Sequence, residues 1–171
     1  ITTTDDNFCP GGSATLTVTD GSLGTGATWE WYSGSCGGTA VGSGASINVS
    51  PAVTTTYYVR AEGDCNTTGC AQITITVKTQ STPPTGASVD HNNFCPGDFA
   101  NITLSYTGGT LGTGATAEWY SDATFTTNIG SGQDLVIAAP IVTTTYYVRF
   151  EGDCNTTTAA SVTVIIKTPS T

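Results

Sequence analysis

The octapeptide VTTTYYVR at residues 53–60 returns unchanged at residues 142–149. Its pattern is that of a strand: Tyr57 and Val59 alternate with Thr56, Tyr58 and Arg60, and a period of two puts one set inside and the other outside a sheet. Working outward, FCP at 8–10 returns at 94–96, LGTGAT at 23–28 returns at 111–116, and EGDCNTT at 62–68 returns at 151–157. The offset grows from 86 through 88 to 89, a drift that small loop insertions explain, since surface loops accept them cheaply. The chain is therefore two copies of one module. The sequence expectation is a first repeat at 1–78, a Thr/Ser/Pro linker TQSTPPTGAS at 79–88 and a second repeat at 89–171. The tail KTPST resembles the start of that linker and the head ITTTDDNFCPG its end. From this we expect a segment of a longer array, or one that joins head to tail with its own copies.

The same alternation runs through the rest of each repeat. Ala14, Leu16 and Val18 alternate with threonines, as do Ile73, Ile75 and Val77, while Ile47 and Val49 alternate with Ser46, Asn48 and Ser50. Ile102, Leu104 and Tyr106, then Leu135 and Ile137, then Tyr146 and Val148 rebuild the set in repeat 2. Glycine-rich breaks separate these runs, and no stretch carries a helical stripe. About seven short strands per repeat with turn signals between them predict an all-β protein of two tandem β-sandwiches.

Composition narrows the function classes. The 171 residues carry four basic against 13 acidic side chains, a net charge of −9, and 36 Thr and 14 Ser. So few cations cannot neutralise a phosphate backbone, which excludes nucleic-acid binding and argues against an anionic membrane surface. No apolar run approaches the ~20 residues of a membrane span. Heavy Thr and Gly with little charge suit strands rather than helix or disorder.

A Gly opening a strand (GGSATLTV), Trp-Tyr strands at Trp31-Tyr32 and Trp119-Tyr120, an I-x-V strand before SPAVTTT and the TYYV strand resemble an immunoglobulin-like sandwich. Val18 and Val59 stand where antibody domains carry their buried disulfide. More narrowly, both repeats resemble the tandem immunoglobulin-like repeats of large secreted and cell-surface, adhesin-type proteins of Bacteroidota-type bacteria. That resemblance implies an extracellular stalk, adhesin or filament segment; fold alone does not fix function.

Six cysteines in such a chain imply disulfides and an oxidising compartment. Repeat 1 has Cys9, Cys36, Cys65 and Cys70, whereas repeat 2 keeps only Cys95 and Cys154, with Thr124 and Ala159 in place of Cys36 and Cys70. Joint loss points to a Cys36–Cys70 bond, which leaves Cys9–Cys65 and Cys95–Cys154. In an immunoglobulin-like sandwich, however, Cys9 and Cys65 lie at opposite ends, and bonding requires Cα atoms within ~7 Å. Bonds between neighbouring domains (Cys9 with Cys154, Cys95 with Cys65 of the next copy) and local pairs (Cys65 with Cys70, Cys9 with Cys36) stay open.

A catalytic reading finds little support. The single histidine, His91, lies in VDHNN beside the linker, away from any Ser or Cys nucleophile pattern. The pairs Glu62/Asp64 and Glu151/Asp153 read as turn chemistry, and they or Asp5/Asp6 are weak candidates for Ca²⁺; no other cofactor or metal is expected. Alternation does put Glu30 and Tyr32 outward on one strand and Tyr58 and Arg60 outward on another, repeated as Glu118, Tyr120, Tyr147 and Arg149. Such a patch offers aromatic area for sugar stacking or for contact between fibres. Sequons at Asn48, Asn66, Asn101 and Asn155 mark possible glycosylation sites. The expectation is a non-catalytic extracellular structural or adhesive segment, whose partners are its own copies or neighbouring repeats; the alternative is a carbohydrate-binding module that takes surface glycans.

Overall fold

The computed structural model describes residues 1–168, so the tail KTPST lies outside it from residue 169 on. The chain divides into two units, Ile1–Thr79 and Gln80–Thr171. Unit 1 contains β1 (Thr2–Thr3), β2 (Asn7–Phe8), β3 (Ala14–Thr17), β4 (Thr28–Ser33), β5 (Thr39–Ser43), β6 (Ser46–Val49), β7 (Thr55–Glu62) and β8 (Ala71–Val77). They form two sheets, β1-β3-β6 and β2-β8-β7-β4-β5, in which only β2 and β8 pair in parallel. Unit 2 contains β9 (Gly86–Val89), β10 (Asn101–Thr107), β11 (Thr116–Tyr120), β12 (Asn128–Ser131), β13 (Asp134–Ala138), β14 (Thr144–Glu151) and β15 (Ala160–Val164). Its sheets are β9-β10-β13 and β12-β11-β14-β15. A parallel bridge from Phe94 to Ile166 stands where β2 meets β8 in unit 1. Each unit is thus the immunoglobulin-like sandwich that the alternation predicts.

The inward residues close one core per unit. Leu16, Trp31, Val59 and Ile75 are buried in unit 1; Leu104, Trp119, Val148 and Val164 are buried in unit 2. Each tryptophan satisfies its indole N–H on a backbone carbonyl across the sheet, Trp31 Nε1 on Gly44 O at 2.9 Å and Trp119 Nε1 on Gly132 O at 3.0 Å. That polar end explains why a residue with an N–H can sit fully inside.

The cores differ at one corner. In unit 2, Tyr106 meets Phe150 edge-on at 5.0 Å, with Ala117 beneath. Their counterparts are Val18, Ala61 and Trp29. One large indole replaces two rings, and Trp29 stays only partly buried.

Residues 79–88 behave differently from a free linker. From Ser81 onward they edge unit 2: Gly86–Val89 pair with β10, Thr82 bridges Thr110, and Ser81 and Pro84 are buried. Small and Pro residues are compatible with a sheet edge, where one side of the backbone needs no partner.

Cys36 and Cys70 are bonded, with Cα atoms 5.9 Å apart, the pair singled out by their joint loss from repeat 2. Cys9 and Cys154 are each in a disulfide, whereas Cys65 and Cys95 are exposed free thiols. The pairings Cys9–Cys65, Cys95–Cys154, Cys65–Cys70 and Cys9–Cys36 are therefore corrected. Register supplies the reason for the first. Phe8 is level with Val77, past the Thr55 end of β7, whereas Cys65 follows the Glu62 end. The eight residues of β7 hold the two cysteines ~25 Å apart at ~3.3 Å per residue.

Candidate functional site

β4 and β7 pair so that Glu30 faces Arg60 and Tyr32 faces Tyr58. β11 and β14 repeat this with Glu118 facing Arg149 and Tyr120 facing Tyr147. The outward sets expected from alternation therefore share one sheet face in each unit, but Tyr120, expected as an exposed contact residue, is buried, with Phe125 packed against it. The acid that meets the arginine is a different one. Arg60 turns along its own strand, and its Nε and Nη2 both donate to Glu62 Oε1 at 2.8 Å. The Tyr32 hydroxyl donates to the same oxygen, and the guanidinium lies 5.0 Å from the Tyr32 ring centre. In unit 2 Arg149 donates to Glu151 Oε1 at 2.7 Å, Tyr120 donates to it at 2.5 Å, and the guanidinium lies 5.1 Å from the Tyr120 ring.

Glu30 and Glu118 stand apart from these clasps. Glu30 accepts from Thr28 Oγ1, and Glu118 accepts from Thr116 Oγ1 and Asn128 Nδ2. Residues i and i+2 on a strand lie on the same face, so Arg60-x-Glu62 carries the signal, although Glu62 and Glu151 read from the sequence as part of the turn that follows.

The hydrogen bonds set the charge state. The Tyr32 hydroxyl and then Arg60 hold the Glu62 carboxyl below its ordinary value, and Glu62 in turn raises Tyr32. Glu151 is lowered by Tyr120 and, after a contrary effect of burial, by Arg149. Burial first and Glu151 second raise Tyr120. At neutral pH each clasp is thus a neutral phenol bridging to a carboxylate–guanidinium pair. It offers flat aromatic area and hydrogen-bonding edges rather than a group poised to exchange a proton.

Unit 2 adds a residue that the sequence reading passed over. Phe125 lies against Arg149, its ring centre 4.1 Å from the guanidinium carbon, and meets Tyr120 and Tyr147 edge-on at 5.4 and 6.1 Å. The Phe125 loop is held by Asp122, which accepts from the backbone N–H groups of Thr124, Thr126 and Thr127; the Thr124 hydroxyl and these amides depress the Asp122 carboxyl. No repeat signal marked Phe125, because its counterpart is Gly37.

The remaining candidates are dispersed. His91 stacks on Phe99 at 3.9 Å. Among the described residues, no group of three or more His, Cys, Asp or Glu gathers as metal ligands would. Asn48, Asn66 and Asn101 are exposed, whereas Asn155 is half-buried and its amide is engaged with Ser81.

The chain resembles the fibronectin(III)-like modules of Clostridium thermocellum CbhA at 16% identity and a TM-score of 0.39, over 97% of this chain and 93% of that one. It resembles chicken CNTN1 FN1–FN3 domains at 12% identity and a TM-score of 0.42, over 96% of this chain and 62% of that one. Likenesses at these scores carry no argument. No curated protein matches the chain. A sequence profile of the family described as "Ig-like domain CHU_C associated" matches twice, over residues 1–78 and 83–168. The chain belongs to that family, as two successive immunoglobulin-like domains.

Proposed function

We propose that this chain is an extracellular, non-catalytic structural segment, a stalk, spacer or filament subunit of an adhesin-type surface protein, joined head to tail to further copies of itself. One observation carries the reading. Cys9 and Cys154 are disulfide-bonded, while their repeat counterparts Cys95 and Cys65, set in the same FCP and EGDCNTT sequences, are exposed thiols. A finished bead would have no use for two exposed thiols in an oxidising compartment, whereas a unit of an array leaves one partner open at each end. Joining Cys65 of one copy to Cys95 of the next forms one S–S bond and releases two protons and two electrons to an acceptor disulfide, such as oxidised glutathione. Negative-stain electron microscopy of the oxidised protein tests this: regular linear particles are expected, and uniformly single chains would reject it.

A second reading rests on Phe125, Tyr147 and Arg149, which form a half-exposed face over the buried Tyr120. Carbohydrate-binding sites use such faces for stacking, so surface glycans are the alternative partner. Glycan-array binding lost in Tyr147→Ala would support it; an array without hits would remove it.

A further inference from the structure

β5 (Thr39–Ser43) is an edge strand: it pairs with β4 on one side, and among the described residues no strand flanks it on the other. Every one of its residues is exposed, which holds for no other described strand. A sheet edge leaves a row of backbone N–H and C=O groups open to pairing. Proteins ordinarily blunt such an edge with charge, proline, a kink or a cover.

Unit 2 guards the corresponding edge, β12 (Asn128–Ser131). Asn128 Oδ1 accepts from the edge N–H of Gly130 at 2.9 Å, while Asn128 Nδ2 donates to Glu118 at 2.7 Å. Gly130 has a φ of 144°, and Asp122 and Asp134 bring negative charge before and after the strand. Unit 1 lacks each of these guards. Ala40, opposite Tyr32 as Asn128 is opposite Tyr120, has no side-chain acceptor. Gly42, opposite Trp31 as Gly130 is opposite Trp119, has no positive φ. Gly34 and Ser46 stand in place of Asp122 and Asp134. Both units carry a bulge here, so the bulge does not set them apart. From Trp31 to Val59 the chain has no charged residue, the longest such stretch in the sequence.

We infer that β5 is a lateral docking edge whose partner is β5 of a second copy, paired antiparallel about a two-fold axis at Val41, the middle of the strand. Charge selects this partner. At a net charge of −9 copies repel one another, so they meet where charge is missing from both. Self-pairing sets Thr39 against Ser43 and Ala40 against Gly42, small uncharged residues that fit across a ladder. Val41, 40% exposed in the single chain, meets its own copy. The sheet β2-β8-β7-β4-β5 then continues into its mate, and an isologous contact of this kind closes at two copies. The contact is made at the side of unit 1 and does not depend on the Cys65–Cys95 joint. It ties side by side the copies that the thiols join end to end.

The probe is the full chain with Cys65→Ser and Cys95→Ser, which keeps the Cys36–Cys70 bond and forms no thiol joint. Sedimentation velocity should show a reversible dimer, and hydrogen exchange should find the Thr39–Ser43 amides slower in the dimer than in dilute chain. Val41→Glu sets like charges against each other at the axis and should weaken the dimer about tenfold or more. Val41→Thr, uncharged and β-branched, should leave it unchanged. Unaltered exchange of the buried β4 and β7 amides verifies that Val41→Glu is folded. Should that variant disturb them, Ala40→Asn, which copies the unit 2 guard, takes its place with the same expectation. A chain that stays monomeric at every concentration overturns the second copy as partner. A dimer as strong in the guarded variant, one weakened as much by Val41→Thr, or protection elsewhere than β5 overturns the edge. None of these outcomes bears on the Cys65–Cys95 joint, which fails or stands by its own linked peptides.

Discussion

Phe125 and Gly37 occupy the same position of the repeat, and both have a left-handed backbone, with φ of 56° and 73°. Glycine adopts that region at little cost, whereas a residue with a Cβ does so at ~1–2 kcal/mol. The guanidinium explains the exchange. A Cβ on Gly37 would lie 2.9 Å from Arg60 Nη1, and in unit 2 the Phe125 ring has moved onto the corresponding Arg149. Repeat 1 ties this loop with Cys36–Cys70; repeat 2, with Thr124 and Ala159 instead, ties it with an aromatic stack and the Asp122 hydrogen bonds.

Two effects oppose each other at Phe125, so the order of its variants is diagnostic. Phe125→Ala keeps the left-handed cost and loses the ring contacts, whereas Phe125→Gly loses the contacts and relieves the cost. Cation–π and aromatic pairs are each worth ~0.5–1.5 kcal/mol. Chemical denaturation should find Phe125→Ala about 1 kcal/mol less stable than Phe125→Gly, with both below wild type. Equal stabilities would mean that the stack carries no strain.

Replacing Cys36 and Cys70 together by Ser removes a cross-link spanning 34 residues. Chain entropy puts the loss at about 3–4 kcal/mol. Hydrogen exchange should show faster opening of the buried amides of unit 1 and leave those of unit 2, whose loop carries no such bond, unchanged.

The lowered Glu151 carboxyl makes a pH prediction. A carboxylate whose folded value lies below its unfolded one, here 4.5, contributes stability that is complete above the unfolded value and lost as pH falls through the folded value. Denaturation of wild type and Glu151→Gln should differ at neutral pH and converge as the pH is lowered beneath 4.5. A gap that is constant from neutral to acid pH would contradict the clasp.

Trp119→Phe keeps most of the ring and leaves the Gly132 carbonyl without its donor. Losing this hydrogen bond costs ~0.5–1.5 kcal/mol and shrinking a fully buried ring adds to it, so a loss of at least about 1 kcal/mol is expected from urea denaturation monitored by unit 2 amides. A neutral result would contradict the contribution assigned to the indole and its hydrogen bond.

The fold was legible because exact repeats such as VTTTYYVR combine with strict alternation, and each inward residue of β7 and β14 is buried as the period requires. The outward patch was legible as a face but not as a set of partners. Arg60 lies opposite Glu30 in the register yet bonds to Glu62, because a long side chain chooses among neighbours by geometry that the period does not contain. Residues 79–88 looked like a linker because Pro and Thr read alike in a coil and at a sheet edge. The pairing of Gly86–Val89 with β10 and the Thr82–Thr110 bridge separate the two. The cysteine pattern revealed Cys36–Cys70 by comparing repeats, while the free state of Cys65 and Cys95 depends on partners at the ends of the units.

The most direct test of the account is non-reducing against reducing electrophoresis of the protein oxidised with glutathione disulfide, followed by mass-spectrometric mapping of linked peptides. The account predicts a ladder that collapses on reduction, with Cys65 of one copy joined to Cys95 of another and no ladder in Cys65→Ser or Cys95→Ser. A single band in both lanes, or a ladder built on other cysteines, would contradict it.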